Sequence, residues 1–146
     1  RKQYPNVTIA TDMIVGFCGE TPSDFRASLD LIRRVKPAKV NVTRYSRRPF
    51  TTLAQKKDYP DHIKKDRSRT MNAVAEEVYA SSNAAQLGTI VPFIVTEILR
   101  KGSVMARSLE YTGIVIREDL PVGFRGNAVL LKDRKYFFIG ERVRPV

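Results

Sequence analysis

The chain has 146 residues, 42% of them hydrophobic, and a formal net charge of +11, with a sequence pI near 10.1. This length can hold one ordinary domain or two small ones, and the positive charge favours a polyanionic partner such as nucleic acid. No apolar run approaches the roughly 20 residues that a transmembrane helix needs, so we expect no membrane partner.

Cys18 is the only cysteine and His62 is the only histidine. A single cysteine cannot form an intramolecular disulfide and is compatible with a reducing compartment. Because no signal peptide is visible either, we predict a cytoplasmic protein. Iron–sulfur clusters need several thiolates, and structural zinc sites need about four ligands. We therefore predict no metal ligand in this chain, and we interpret Cys18 as a small neutral filler.

The first predicted element is a strand over residues 7–15, because apolar side chains alternate along it. Gly16 and Gly19 follow and allow a sharp turn with room for a ligand near the backbone. A helix is then predicted from Pro22 to about Val35, with Thr21 as its N-cap. A second strand is predicted over residues 39–45.

Strand, helix and strand with short connections predict a βαβ unit with parallel strands. Each strand has one apolar face and one small or polar face. In a barrel with helices outside, the polar face would line the interior; the residues predicted there are Asp12, Ile14, Asn41, Thr43 and Tyr45. Two strands and one helix cannot close a barrel. We therefore expect this chain, which begins at Arg1 without a methionine, to be part of a longer polypeptide.

A loop over residues 46–58 leads to a connector over residues 59–87 that is predicted to be mostly helical. Its charged run, residues 64–69, is predicted to be a solvent-exposed face. From Ile90 onward, short β-rich runs alternate with turn signals at five places. This pattern predicts a small five-stranded antiparallel OB-like barrel. The predicted fold class is therefore α/β plus all-β.

Residues 11–25 resemble a motif of the radical S-adenosylmethionine methylthiotransferases, Thr-Asp-Ile-Ile-Val-Gly-Phe-Pro-Gly-Glu-Thr-x-x-Asp-Phe, with Met13 and Cys18 as the departures. Residues 45–51 are similar to the family's turn Tyr-Ser-Pro-Arg-Pro-Gly-Thr, with Arg47 and Phe50 as the departures. The last region resembles the TRAM domain, an RNA-binding barrel; the matching residues are Ala106-Arg107, Tyr111 and Val115, with alanine in place of a glycine.

This resemblance implies three parts: the C-terminal part of a radical SAM barrel over 1–53, a connector helix over 54–88, and a TRAM barrel over 89–146. It also implies S-adenosylmethionine and [4Fe–4S] clusters as cofactors of the parent enzyme. The cysteines that hold those clusters are absent here. We therefore expect no catalytic residue in this chain, and we expect the chain alone to be inactive.

The segment Asn41–Ser46 most resembles the archaeal and eukaryotic enzymes. That resemblance implies addition of a methylthio group to C2 of N6-threonylcarbamoyladenosine 37 in tRNA. Two alternatives stay open: a non-catalytic RNA-binding module, and a methylthiotransferase acting on isopentenyladenosine in tRNA. The basic charge disfavours a third substrate of such enzymes, an aspartate on a ribosomal protein.

The expected partners are tRNA and S-adenosylmethionine, together with the preceding part of the parent protein or a second copy that would cover the open sheet.

The resemblance assigns cofactor binding to Asp12, Ile14, Gly16 and Glu20. For Asp12, a hydrogen bond between neighbouring loops is an equally weighted interpretation. The substrate-side residues are Arg44, Tyr45, Ser46 and Arg48. The cations predicted to meet RNA phosphates are Lys101, Arg107, Arg117, Arg125, Lys132, Arg134, Lys135 and Arg142. The aromatic residues predicted as stacking faces are Tyr111, Phe124 and Tyr136.

Overall fold

The computed structural model describes Gln3 and residues 7–144. Its elements in chain order are β1 (Ala10–Val15), α1 (Pro22–Val35), β2 (Lys39–Arg44), α2 (Asp61–Ala84), β3 (Ile90–Arg100), β4 (Ser103–Ser108), β5 (Gly113–Ile116), β6 (Arg125–Asp133) and β7 (Phe137–Val143). In the described part of the chain, neither helix is long and apolar enough to cross a membrane.

The chain divides into two compact units at Tyr79, within α2. One unit, Ile9–Tyr79, is called the α/β unit below. The other contains residues 80–144 together with the described residues before Ile9, and it is called the barrel unit. Most of α2 thus belongs with the α/β unit. The predicted boundaries after residues 53 and 88 stay predictions, and the outer ends at residues 1 and 146 lie outside the described residues.

In the α/β unit, β1 and β2 form a two-stranded parallel sheet whose register runs from Ala10 beside Lys39 to Val15 beside Arg44. Both helices pack on the apolar face of this sheet, as expected from the alternation. The backbone N–H of Val40 donates to the Tyr79 hydroxyl at 2.6 Å and so ties α2 to the sheet. The buried core consists of Val15, Leu29, Ile32, Val40, Met71, Val74, Ala75, Val78 and Tyr79.

Helix α1 has the predicted bounds because its ends carry strong local signals. The Thr21 hydroxyl accepts from the backbone N–H of Asp24, while the Asp24 carboxylate accepts from the backbone N–H of Thr21. That backbone hydrogen bond lowers the pKa of Asp24 from its ordinary value. At the other end, Lys36 adopts a left-handed conformation and its N–H closes the last turn on Ile32.

The last five strands form a closed barrel in the order β3-β4-β5-β7-β6. Closure is made by antiparallel pairing of β3 with β6. The prediction of a wholly antiparallel barrel is wrong at one pair, because β5 and β7 are parallel. The long connection between β5 and β6 reverses the order of the last two strands and brings β7 beside β5. The barrel core consists of Phe93, Val95, Val104, Ala106, Ile114, Ile116, Ala128, Leu130 and Phe138.

Candidate functional site

A cleft of about 300 Å³ opens where β1 and β2 end. Ligands of α/β folds bind at the carboxyl ends of parallel strands. The cleft brings together Ile14 and all four predicted substrate-side residues. Asp12, Gly16 and Glu20 do not line it. The lining residues are Ile14, Phe17, Thr43, Arg44, Tyr45, Ser46, Arg48, Thr51, Thr52 and Leu53.

The apolar wall of the cleft comes from the turn after β1 and from the end of β2. Ile14 is 55% exposed although it lies in a strand, because it projects from the sheet face that no helix covers. The rings of Phe17 and Tyr45 meet edge to face, with centroids 4.9 Å apart. Burial and a hydrogen bond with Cys18 raise the pKa of Tyr45. Cys18 itself is buried beside this ring.

Two arginines line the cleft and differ in their partners. The guanidinium of Arg44 lies 3.2 Å from both carboxylate oxygens of Asp61, so its charge is already paired. The backbone carbonyl of Arg48 accepts from the Thr51 hydroxyl at 3.0 Å, which closes the loop around it. Within the described residues the Arg48 guanidinium makes no ion pair. Arg48 is therefore the cation of the cleft that is available to a ligand.

The glycine turn beside the cleft is held by a buried ion pair. The Glu20 carboxylate accepts from the backbone N–H of Gly16 at 2.8 Å and pairs with Arg67, and both of these side chains are about nine-tenths buried. Arg67 also donates to the backbone carbonyl of Glu20 at 3.1 Å, and its guanidinium lies 4.8 Å from the Tyr59 ring centroid. Glu20 thus supports the turn from behind, and its cofactor contact stays a prediction.

Gly16 is required by its conformation and by its close neighbour. Its φ is +70°, and a Cβ there would lie 2.6 Å from the Cγ of Lys64. Lys64 is buried, and its ammonium donates to Asp58 at 2.7 Å and to the backbone carbonyl of Tyr45 at 3.1 Å. The hydrogen bond from Lys64 holds the pKa of Asp58 below its usual value. Lys64 therefore packs against the turn and also binds the start of the loop after β2, residues 45–53, which is called the cleft loop below.

The prediction that residues 64–69 form a solvent-exposed face is wrong for Lys64 and Arg67. A usable signal existed, because Lys64, Arg67 and Met71 follow the helical spacing of the apolar stripe further along α2. Their long side chains extend that stripe toward the glycine turn and meet carboxylates there. Lys65, Asp66 and Arg69 are exposed, in agreement with the prediction.

Asp12 lies on the exposed face of the sheet beside its register partner Asn41. The Asn41 amide donates to the Asp12 carboxylate at 2.8 Å. Of the two interpretations, the hydrogen bond is therefore present, although it joins neighbouring strands and not loops. A contact between Asp12 and a cofactor stays a prediction.

In the barrel unit, the eight predicted RNA-contacting cations differ in exposure. Arg142 donates to Glu118 at 2.9 Å and lies over the Phe124 ring, so its charge is paired. Phe124 packs against the barrel core, whereas Tyr111 and Tyr136 are 69% and 61% exposed. Arg107 and Lys135 are half-buried. The exposed cations are Lys101, Arg117, Arg125, Lys132 and Arg134.

An iron–sulfur cluster held by cysteines does not fit this chain, since its one cysteine is buried beside Tyr45. In the residues that the structure describes, no cluster of histidine, cysteine or acidic side chains could hold a metal ion. Binding of a nucleoside by the cleft and of phosphates by the barrel cations stays a prediction.

No protein-family model matches the chain. It is 36% identical over 125 residues to a protein of Pyrococcus horikoshii named probable threonylcarbamoyladenosine tRNA methylthiotransferase, an alignment that covers 86% of this chain and 29% of that protein. A protein of the same name from Pyrococcus abyssi is 38% identical over 126 residues, again 86% of this chain and 29% of the relative.

A tRNA-2-methylthio-N(6)-dimethylallyladenosine synthase of Acidothermus cellulolyticus is 38% identical over 98 residues, which are 66% of this chain and 20% of that protein. The chain thus spans about 29% or less of the length of these curated relatives. Both groups of relatives are named as tRNA methylthiotransferases or as synthases of a methylthiolated tRNA nucleoside. The chain belongs to the tRNA methylthiotransferase family.

Proposed function

We propose that this chain is the C-terminal portion of an enzyme that adds a methylthio group to C2 of N6-threonylcarbamoyladenosine 37 in tRNA. One structural observation carries the proposal: a single cleft at the ends of β1 and β2 holds Ile14 together with Arg44, Tyr45, Ser46 and Arg48. The names of the archaeal relatives support the same substrate. S-adenosylmethionine and [4Fe–4S] clusters are the proposed cofactors of the parent enzyme, to which they would supply the radical and the methyl group.

In this proposal the α/β unit is the part of the radical SAM barrel that binds nucleosides. Ile14 offers an apolar edge to a flat base, and Gly16 allows the turn beside the cleft its positive φ and leaves room for Lys64. Glu20 and Arg67 are positioning residues, because they fix the turn without lining the cleft. The uncovered face around Ile14 and Asp12 would be closed by the preceding part of the parent protein or by a second copy.

Arg48 is proposed to recognise the carboxylate of the threonylcarbamoyl group. A guanidinium binds a carboxylate in a bidentate geometry, and Arg48 lines the cleft without an ion pair to any described residue. Arg44 suits this role less because Asp61 already neutralises it. A dimethylallyl group has no charge, so it would leave Arg48 without a partner.

The barrel unit is proposed to be a TRAM-type OB-like barrel that binds the tRNA. The closed five-stranded topology and the exposed cations around it support this role. Contacts with phosphates make affinity fall steeply as salt rises. We expect this salt dependence for the full-length protein, with a slope that is shallower by about one after Arg107→Ala.

The test is anaerobic reconstitution of the full-length protein, followed by incubation with S-adenosylmethionine and two tRNAs. One tRNA carries threonylcarbamoyladenosine and the other carries dimethylallyladenosine, and mass spectrometry of the digested nucleosides detects the product. We expect methylthio addition to the first tRNA alone. Product only on the second tRNA would contradict the proposed substrate. Absence of product on both, with clusters confirmed by iron and sulfide analysis, would contradict the proposed activity.

The role of Arg48 needs a separate comparison. Arg48→Leu is expected to reduce kcat/KM for the threonylcarbamoyl substrate by about tenfold or more, because it removes a charge-assisted hydrogen bond. Arg48→Lys should recover part of the loss. The adjacent Arg47→Leu does not change a cleft-lining residue and serves as the matched control. Equal effects of Arg47→Leu and Arg48→Leu would refute a specific role for Arg48.

A further inference from the structure

The two exposed tyrosines of the barrel unit lie at the same end of the barrel. The parallel pairing of β5 with β7 sets Gly113 beside Phe137. Tyr111 comes two residues before Gly113, and Tyr136 comes immediately before Phe137. The β4–β5 and β6–β7 turns therefore emerge side by side, although 25 residues of sequence separate the two tyrosines (136 − 111).

Each of these rings lies next to a cation. The guanidinium carbon of Arg107 is 4.5 Å from the Tyr111 ring centroid, and the ammonium of Lys135 is 5.1 Å from the Tyr136 ring centroid. Both rings nevertheless remain more than 60% exposed. An exposed aromatic ring beside a cation gives a base a stacking surface and its phosphate a counter-charge.

Each of the two turns has one residue in an unfavourable backbone conformation, at its tyrosine or immediately before it. Tyr111 has a φ of +66° and Lys135 has a φ of +70°, a region that side chains other than glycine rarely adopt. The backbone N–H of Tyr111 donates to the Ser108 carbonyl at 3.0 Å. The backbone N–H of Lys135 donates to the Asp133 carboxylate at 2.6 Å. Such unfavourable conformations, when local bonds hold them, often mark functional sites.

The charge at this end is positive and accessible. Arg107 pairs with Gly113 and lies one residue before Ser108, the last residue of β4. Arg134 and Lys132 are exposed near the second turn. The nearby acids are engaged locally: Asp133 accepts from Asn83, and Glu110 accepts from the Ser108 hydroxyl.

The opposite end of the barrel lacks this combination. Lys101 and Arg117 lie there, because Arg100 pairs with Ser103 and Ile116 pairs with Val104. The acids Glu118 and Asp119 lie beside them, with Arg142 bound to Glu118. Neither exposed tyrosine lies at that end. Among the residues that the structure describes, only the tyrosine end thus combines two exposed rings with cations.

We propose that the tyrosine end binds an unpaired segment of RNA, with one base stacked on Tyr111 and another on Tyr136. Arg107, Lys132 and Arg134 would meet the phosphates between them. A duplex is excluded as the ligand because its bases are already stacked and its deep groove hides their faces. This inference rests on the proposed binding of tRNA by the barrel and narrows it to one end and to single-stranded nucleotides.

The test measures binding of the full-length protein to tRNA, to a short single-stranded RNA and to a duplex of the same sequence. Loss of a stacked base weakens binding by about tenfold. We therefore expect Tyr111→Ala and Tyr136→Ala each to lower the affinity for tRNA and for the single strand by about tenfold. Tyr111→Phe keeps the ring and should bind within about twofold of the parent protein.

Ile98→Ala is the matched control at the opposite end, because Ile98 is 60% exposed, pairs with Val104 and is not one of the predicted RNA contacts; it should leave affinity almost unchanged. Circular dichroism of each variant verifies that the barrel stays folded, and Tyr136→Leu provides a second ring deletion away from the strained Tyr111. The inference is wrong if folded alanine variants bind tRNA as the parent protein does, or if the duplex binds as tightly as the single strand. If the parent protein itself does not bind tRNA, the proposed function fails first.

Discussion

The α/β unit and the barrel unit reach stability in opposite ways. The barrel pairs every strand with two neighbours around an apolar core cluster, and its only buried polar side chains among the described residues are Ser103 and Ser108. The α/β unit has only two strands, leaves one sheet face exposed, and buries charged side chains behind its glycine turn. The barrel unit carries its candidate RNA-binding groups on turns outside its core. The α/β unit has its cleft beside the uncovered sheet face, so the shape of the cleft depends on the buried pair of Glu20 with Arg67 that supports the glycine turn.

Arg67→Leu is expected to produce the largest difference in stability between the two units. This change leaves the buried Glu20 carboxylate without its cation, which costs about 3–5 kcal/mol. We expect amide hydrogen exchange to accelerate in α1 and α2, while the strands of the barrel keep their protection. The control is Arg69→Leu, which removes an exposed pair with Asp66 and should cost less than about 1 kcal/mol. Equal losses for the two variants would show that burial of the pair is unimportant.

Gly140→Ala should have the converse effect, because the loss of stability should be confined to the barrel unit. A Cβ at Gly140 would lie 2.7 Å from the Cγ2 of Ile114 and 3.1 Å from the backbone oxygen of Val129. Overpacking of this kind costs about 1–3 kcal/mol. Hydrogen exchange should accelerate in β5 and β7 and stay unchanged in α1. Leu109→Ala, at a side chain that is 84% exposed, is the barrel control. Unchanged hydrogen exchange in β5 and β7 after Gly140→Ala would show that Gly140 is not tightly packed against Ile114.

A smaller effect of the opposite sign is expected at Phe50, in the cleft loop. Phe50 has a φ of +63° and a fully exposed side chain, so its conformation is unfavourable and no packing compensates for it. Phe50→Gly should therefore stabilise the α/β unit by up to about 1 kcal/mol. Urea unfolding followed by helical circular dichroism measures this change. A clear loss of stability would mean that the Phe50 side chain has a packing role.

The smallest expected effect is on the stability of the fold at acidic pH. The hydrogen bond from Lys64 lowers the pKa of Asp58 in the folded chain, so the carboxylate stabilises the fold above the unfolded pKa of about 4. That contribution is lost as the pH falls through the lower folded pKa. Asp58→Asn should therefore make stability fall less steeply below about pH 4 in urea titrations. Asp30→Asn, at an exposed pair with Arg33, is the control. An identical acid slope in Asp58→Asn and the parent chain would contradict this.

Local signals predicted much of the fold. The Thr21-Pro22 start of α1 and the proline after its end determined a helix with the predicted bounds. Five β-rich runs separated by turns became five strands. The parallel pairing of β5 with β7 could not be predicted, because it depends on a connection that crosses the barrel. The pairing of Glu20 with Arg67 spans 47 residues and depends on how α2 packs.

The cleft was predicted in part from the resemblance to a known family. Ile14 and the four substrate-side residues do line one cleft, whereas Asp12 bonds to Asn41 and Glu20 lies behind the turn. The free charge of Arg48 could not be distinguished from that of Arg44 by sequence, because the Asp61 partner of Arg44 comes from the start of α2. The common end of Tyr111 and Tyr136 likewise required the strand register.

The division of roles between the two units is tested most directly by Ile14→Arg in the reconstituted full-length protein. Ile14 projects into the cleft from an exposed sheet face, so arginine fills the cleft without disturbing a core. We predict that methylthio transfer to tRNA is lost while the affinity for tRNA stays within about twofold of the parent protein, since the barrel is unchanged. Retained transfer, or a parallel loss of tRNA binding, would contradict the assignment of nucleoside chemistry to the cleft.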